Sequence, residues 1–237
     1  MSALLEVRDL CKRFGGLAAN QDISFVIAQA EIIGLIGPNG AGKTTLFNCI
    51  AGFYQPSEGT IHFNGADVTG APPEKMARLG VARTFQIVRT FASMTALQNV
   101  TVAALLYNKR VAVAQEQALQ ILDFTGLASR AHFSAGSLTV AEQRRLEVAR
   151  ALALQPRLLL LDETMAGLNP AEMREAVALV KQIQARDIAC LIVEHVMQGI
   201  MPIADRIVVL DYGRKIAEGT PAQVCNDPAV IAAYLGE

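Results

Sequence analysis

The sequence predicts an α/β fold whose core is a parallel sheet built around a phosphate-binding loop. Three observations carry that expectation. Gly37-Pro38-Asn39-Gly40-Ala41-Gly42-Lys43-Thr44 fits G-x-x-x-x-G-K-[ST] at every fixed position. Leu158-Leu159-Leu160-Leu161 and Ile188-Ala189-Cys190-Leu191-Ile192-Val193 are continuous apolar runs, which suit strands covered on both faces. Between those runs, Asn169-Pro170-Ala171-Glu172 opens a helix with an N-cap, a proline in its first turn and a glutamate in the capping-box position.

In chain order, Leu4 to Leu10 alternates as an edge strand, and Lys12-Arg13-Phe14-Gly15-Gly16 reads as a turn. Ile23 to Ile27 alternates again and leads into the short buried strand Glu31–Ile36 that feeds the phosphate loop. Glycines let backbone N–H groups turn inward onto phosphate oxygens, and the helix continuing through Thr45-Leu46-Phe47-Asn48-Cys49-Ile50 adds partial positive charge at its N-terminus. Lys43 would reach the β- and γ-phosphates, and the Thr44 hydroxyl would ligate Mg²⁺. Ile61-His62-Phe63 is a third member of a small β layer, with Asn64-Gly65 as its hairpin turn.

A short helix around Pro73 to Leu79 and a helix-rich stretch from about Leu97 to Ala128 follow. The second stretch has no strand pattern and separates the phosphate loop from the later strands, as an inserted helical subdomain would. Arg206–Leu210 and Lys215–Glu218 form a closing hairpin about Tyr212-Gly213, and Thr220-Pro221 caps a final helix. No internal repeat is visible, so one nucleotide cassette is expected.

Composition narrows the function classes. The chain has 237 residues, 52% of them hydrophobic, yet no apolar run approaches the roughly 20 residues of a membrane helix. The N-terminus lacks a basic segment followed by an apolar one, so no secretory signal is expected. Cys11, Cys49, Cys190 and Cys225 lie far apart in or beside apolar segments and read as buried free thiols. A net charge of −1 without a long basic block argues against nucleic-acid binding. These features together predict a cytosolic, soluble protein.

Several side chains bear on chemistry. Asp162 and Glu163 end the Leu158–Leu161 strand, where carboxylates sit at the ligand-binding edge of α/β sheets. Asp162 would hold Mg²⁺, and Glu163 could polarise an attacking water as general base. Gln86, after Arg83-Thr84-Phe85, could ligate Mg²⁺ or water through its amide. His195 could contact the γ-phosphate or orient the Glu163 water, and Phe14 could stack on adenine. Taken alone, a Gln says almost nothing, a His is more often structural and an isolated aromatic is more often core.

Their order along the chain resembles the ATP-binding subunit of ABC transporters over essentially the whole length. The resemblance rests on Gly37–Thr44, Gln86, the signature region from Leu138, Leu158–Glu163 and His195. Within that family the chain is similar to the branched-chain amino-acid importer branch. The likeness lies in the loop continuing through Thr45-Leu46-Phe47-Asn48, in Ala82-Arg83-Thr84-Phe85-Gln86 and in Ala166-Gly167-Leu168-Asn169-Pro170. Ala217-Glu218-Gly219-Thr220-Pro221 and the ending Ala233-Tyr234-Leu235-Gly236-Glu237 belong to it as well.

The resemblance implies a P-loop NTPase with a RecA-like parallel sheet core, a small antiparallel β layer and the helical insert. One domain would span 1–237, with 1–86 and 156–237 as the nucleotide-binding core and 87–155 as the insert carrying the signature. It implies ATP and Mg²⁺ as cofactors, with Phe14, the loop Gly37–Thr44, Thr45 and Gln86 on the nucleotide and Thr44, Gln86 and Asp162 on the metal. Glu163, His195 and Lys43 would be catalytic. The implied partners are a second cassette (the likeness favours a paralogue), two transmembrane permease subunits and, indirectly, an extracytoplasmic solute-binding protein. The implied location is peripheral, on the cytoplasmic face of the plasma (inner) membrane. A soluble ABC ATPase outside transport and a nucleotide switch with weak hydrolysis are the competing functions; a GTPase is disfavoured because no N-K-x-D motif is present.

One segment departs from the family pattern. The signature L-S-G-G-Q is replaced by Leu138-Thr139-Val140-Ala141-Glu142, losing both glycines. In the family this helix end faces the γ-phosphate held by the opposite subunit, where Cβ atoms at Val140 and Ala141 add bulk. Thr139-x-x-Glu142 also fits a capping box, so Glu142 either folds back on its own helix or faces phosphate. Both readings stand on sequence. The expectation is a competent site on this chain's own phosphate loop and a weaker one on the partner's. Asn169 also sits where many relatives carry Asp.

Overall fold

Two sheets share one hydrophobic core with the helix that follows the phosphate loop. The computed structural model describes residues 3–85 and 90–235. The first sheet contains β1 (Ala3–Phe14), β2 (Leu17–Ala28), β4 (Glu58–Phe63) and β5 (Ala66–Asp67), in the antiparallel order β2-β1-β4-β5. The second contains β3 (Ile32–Ile36), β6 (Val81–Arg83), β7 (Leu158–Asp162), β8 (Ala189–Val193), β9 (Arg206–Asp211) and β10 (Arg214–Gly219), in the order β10-β9-β3-β8-β7-β6. Every neighbouring pair from β9 to β6 is parallel, and β10 returns antiparallel at one edge.

The helices are α1 (Lys43–Ile50), α2 (Pro73–Leu79), α3 (Ala96–Ala104), α4 (Val111–Phe124), α5 (Val140–Leu152), α6 (Pro170–Gln184), α7 (Met197–Ile200), α8 (Pro221–Cys225) and α9 (Pro228–Leu235). Strands β3, β7 and β8 are buried at every position, so alternate residues feed two cores. On one face Ile33, Leu35, Leu158, Leu160 and Leu191 pack with Leu46, Phe47 and Ile50 of α1 and with the small sheet. On the other, Ile32, Ile36, Leu159, Leu161 and Ile192 pack against α5 and α6. Burying a side chain of this size contributes about 1.5–3 kcal/mol. A third cluster, with Val100, Ala118, Leu122 and Leu146, joins α3 and α4 to one side of α5.

Four expectations need correction. β1 lies between β2 and β4 and is no edge strand. It also runs on through Lys12, Arg13 and Phe14, which pair with Asn20, Ala18 and Leu17, so the turn shrinks to Gly15-Gly16. The final helix is two, because the Asp227 carboxylate caps the Ala229 N–H and Pro228 restarts the chain as α9. Cys225, at the end of α8, is exposed, whereas Cys11, Cys49 and Cys190 are buried. Strand β6 is an addition: three residues are too few to show a period, and parallel pairing with β7 defines it.

The parallel topology positions the site. Gly37, Thr84, Glu163, Glu194 and Tyr212 each lie just past the C-terminal end of a strand, or close to it, so distant stretches of sequence meet at one sheet edge.

Candidate active site

The phosphate loop begins where β3 ends. Gly37 has φ +147°, and a Cβ there would stand 2.0 Å from the Leu210 carbonyl oxygen. Gly42 has φ +95°, and its Cβ would meet the Ala19 oxygen at 2.4 Å. Only glycine fits both places. The fully buried Asn20 amide donates to the Gly42 carbonyl at 3.1 Å, and the Gly213 N–H donates to the Ala41 carbonyl at 3.1 Å. The loop is therefore clamped by β2 and by the β9–β10 turn.

Lys43 opens α1 and is 8% exposed. Its ammonium donates to the carbonyls of Gly37 at 2.6 Å and Pro38 at 2.8 Å, bridging the loop from inside. Burial holds its pKa below the usual lysine range, against an opposing pull from the Glu163 carboxylate. Thr44, next along, is exposed, and Thr45 is half-buried.

An open cleft of about 530 Å³ lies over the loop. Phe14, Thr44, Glu163 and Tyr212 share its lining with Gly40 and Lys43. Phe14 stands half-exposed at the end of β1, edge-on to Tyr54 at 5.3 Å, with the Lys12 ammonium 4.8 Å from its ring centre. An apolar ring left open at the cleft suits a planar base.

Asp162 ends β7 almost fully buried, with a carboxylate oxygen 3.2 Å from an Arg83 guanidinium nitrogen. Burial raises its pKa, the Arg83 charge lowers it, and Glu163 raises it again. Arg83 also donates to the Asn48 side-chain oxygen at 2.6 Å, and its guanidinium lies within about 5 Å of the rings of Phe47, Phe53 and Phe85. The Thr84 hydroxyl accepts from the Asp162 N–H at 3.1 Å.

Glu163 has φ +49°, an uncommon backbone state for a residue with a side chain. Its N–H donates to the Val193 carbonyl at 2.9 Å, and its own carbonyl accepts from Arg144 of α5 at 2.7 Å. The carboxylate comes within 3.8 Å of His195 Nδ1. Glu194 is fully buried next to that histidine, and one of its oxygens accepts from the Met165 N–H at 2.7 Å. The structure thus brings Lys43, Asp162, Glu163 and His195 to one edge and sets Phe14 at the cleft. Gln86 lies outside the described residues.

The altered signature forms the start of α5. Thr139 is the N-cap, and its hydroxyl accepts from the Glu142 N–H at 3.2 Å while the Glu142 carboxylate accepts from the Thr139 N–H at 2.9 Å. Arg130 adds a bond to the same carboxylate at 2.7 Å. The Thr139 N–H, then Arg130, hold the Glu142 pKa below the usual carboxylate range. Glu142 is folded back on its own helix end, as a capping box requires. Leu138 is buried, Val140 is 64% exposed, and Ala141 lines a cavity between α5 and α6.

Asp162 and Thr44 offer a carboxylate and a hydroxyl, the hard oxygen donors that Mg²⁺ takes in small number when phosphates supply the rest. That donor set fits the ion. Among the described residues no cluster of three or more His, Cys, Asp or Glu forms a metal centre of its own.

Sequence reasoning missed Arg83, Arg144 and Glu194. Arg83 lies within, and Glu194 beside, segments the sequence singles out, and Arg144 lies two residues past the signature. Only the tertiary contacts give them partners.

A phosphate loop leaving the central strand of a parallel sheet, with two acids and a histidine at the same edge, defines a P-loop NTPase. Residues 20–166 match the ABC transporter family, and residues 214–237 match the branched-chain amino acid ATP-binding cassette transporter family. The chain is 42% identical to the high-affinity branched-chain amino acid transport ATP-binding protein BraF of Pseudomonas aeruginosa, covering 99% of this chain and 98% of that one. It is 44% identical, over the same shares, to LivG of Escherichia coli K12, which carries the same description. Its fold superposes on a crystal structure of an ATP-binding cassette of an ABC transporter in the ADP conformation, with TM-score 0.91, 30% identity and full coverage of both chains. The chain belongs to the ABC transporter family, as an ATP-binding subunit that hydrolyses ATP to drive transport. Among the described residues no helix is long and apolar enough to cross a membrane.

Proposed function

We propose that this chain powers an importer for small polar solutes, branched-chain or related amino acids. The observation that carries the proposal is near end-to-end similarity to BraF and LivG, supported by the match of residues 214–237 to the branched-chain cassette family. The chain works as one of a pair of cassettes, the other a paralogue, beneath two transmembrane permease subunits that receive solute from an extracytoplasmic binding protein. It sits on the cytoplasmic face of the inner membrane. Residues 1–86 and 156–237 serve as the nucleotide core, and 87–155 form the insert that meets the permease; the separate packing of α3 and α4 against α5 favours this division.

In this reading the adenine of ATP stacks on Phe14, and the phosphates lie in the loop Gly37–Thr45. Lys43 exchanges the Gly37 and Pro38 carbonyls for β- and γ-phosphate oxygens. Thr44, Asp162 and Gln86 would hold Mg²⁺, which would neutralise charge on those phosphates. Glu163 takes the proton of the attacking water as the terminal phosphate leaves in line, and His195, beside it, orients that water. Leu138–Glu142 face the partner's nucleotide when the pair closes.

Gentle solubilisation of membranes carrying this chain, with mass spectrometry of what copurifies, tests the assembly. Two multi-span proteins and a second cassette are expected, and reconstituted vesicles should take up labelled leucine only with ATP. Copurification with soluble partners alone would overturn the transport role.

A further inference from the structure

Resting on the hydrolysis reading above, we propose that Glu194 is a positioning residue for the reaction, tying the turn after Glu163 to the strand end that carries His195.

The side chain is fully buried, immediately after β8. Its Oε1 accepts from the Met165 N–H at 2.7 Å, two residues beyond Glu163. Its Oε2 is shielded from solvent and meets no hydrogen-bond partner among the described residues. A carboxyl group buried with one donor is a costly arrangement, which makes the bond to Met165 the contact that holds the side chain in place. The charged groups around it are Glu163 at the end of β7, His195 on its own segment and Arg144 of α5. Burial raises the Glu194 pKa, Glu163 raises it further, and the Met165 N–H, His195 and Arg144 pull it down.

The consequence is mechanical. Glu163 is held at its N–H by Val193, at its carbonyl by Arg144, and through Met165 by Glu194. Three bonds keep an unfavourable positive φ in place and leave the Glu163 carboxylate beside His195. Removing the third lets the turn relax.

The test is steady-state ATP hydrolysis in the assembled complex, with nucleotide affinity and thermal unfolding alongside, for wild type, Glu194→Gln and Glu194→Ala. Glutamine keeps an oxygen for the Met165 N–H. Glu194→Gln, the conservative rescue, should hold kcat within about twofold. Glu194→Ala should lower kcat about tenfold or more with KM for ATP little changed. If alanine leaves no folded complex, Glu194→Met, which fills the space without an acceptor, takes its place. A Glu194→Gln protein as impaired as a general-base knockout, or a Glu194→Ala or Glu194→Met protein with wild-type kcat, overturns the proposal. A wild-type complex that binds ATP without hydrolysing it overturns the catalytic reading instead, which separates the two failures.

Discussion

Arg83 and Asp162 form a buried ion pair at 3.2 Å, their side chains 11% and 4% exposed. The pair joins β6 to β7, so the segment leading into Gln86 is tied electrostatically to the proposed metal ligand. Asn48 and three aromatic rings hold the same guanidinium, which fixes its direction as well as its charge. Removing the arginine would strand a buried carboxylate. Arg83→Leu is expected to lower folding stability by about 3–5 kcal/mol, measured by urea denaturation. Arg83→Lys should recover only part of it, because an ammonium cannot reach Asn48 and Asp162 together with the same planar fork.

Glu163→Gln separates binding from chemistry. The amide keeps the shape of the side chain and loses the proton acceptor, while the backbone bonds to Val193 and Arg144 do not involve it. ATP affinity, followed with a fluorescent analogue, should stay within a few-fold. Phosphate release should fall about 10²–10⁴-fold. Wild type and variant hydrolysing equally slowly would mean that Glu163 is not the base, and a nucleotide switch would become the better account.

Sequence pattern made some of this architecture legible and left the rest dark for physical reasons. The phosphate loop, the apolar strands Leu158–Leu161 and Ile188–Val193, and the Asn169 capping box are local, and each is present where the pattern puts it. Alternation makes β1 look like an edge because it reports one buried face and says nothing of how many neighbours a strand has. β6 and the α8–α9 break depend on three residues and one proline, below the length at which a period can be heard. Arg83, Arg144 and Glu194 take their meaning from partners 79, 19 and 29 positions away. No spacing rule covers such distances.

Cysteine labelling checks the burial directly. Cys190 sits in the sheet core, where burial pushes its thiol up to about 12, and burial in α1 pushes Cys49 up to about 11. Cys11 is also buried, with its pKa raised chiefly by desolvation. The thiolate is the reactive form, so these three should resist a thiol reagent at pH 8. Cys225 alone is exposed among the four. Native protein should titrate about one thiol and denatured protein all four, with the single modified peptide spanning the end of α8.

The signature glycines offer the last prediction, and geometry sharpens it. Val140 and Ala141 are the first two residues of α5, capped by Thr139 and Glu142. Val140 is 64% exposed, so its loss removes little packing. Glycine in a helix costs roughly 1 kcal/mol against alanine, and the capping box that anchors this end is untouched by changes at 140 and 141. Val140→Gly with Ala141→Gly should therefore fold. In the proposed pair this helix end completes the partner's site, leaving this chain's own phosphate loop to be completed by the partner. Lys43→Ala in this chain silences its own site and isolates the other. Against that background, the double glycine variant should raise the remaining ATP turnover several-fold if Cβ bulk keeps the helix from the partner's γ-phosphate. An unchanged rate in an intact complex would mean that the capped helix end of this chain already makes the approach without glycine, and that the two sites need not differ on this account.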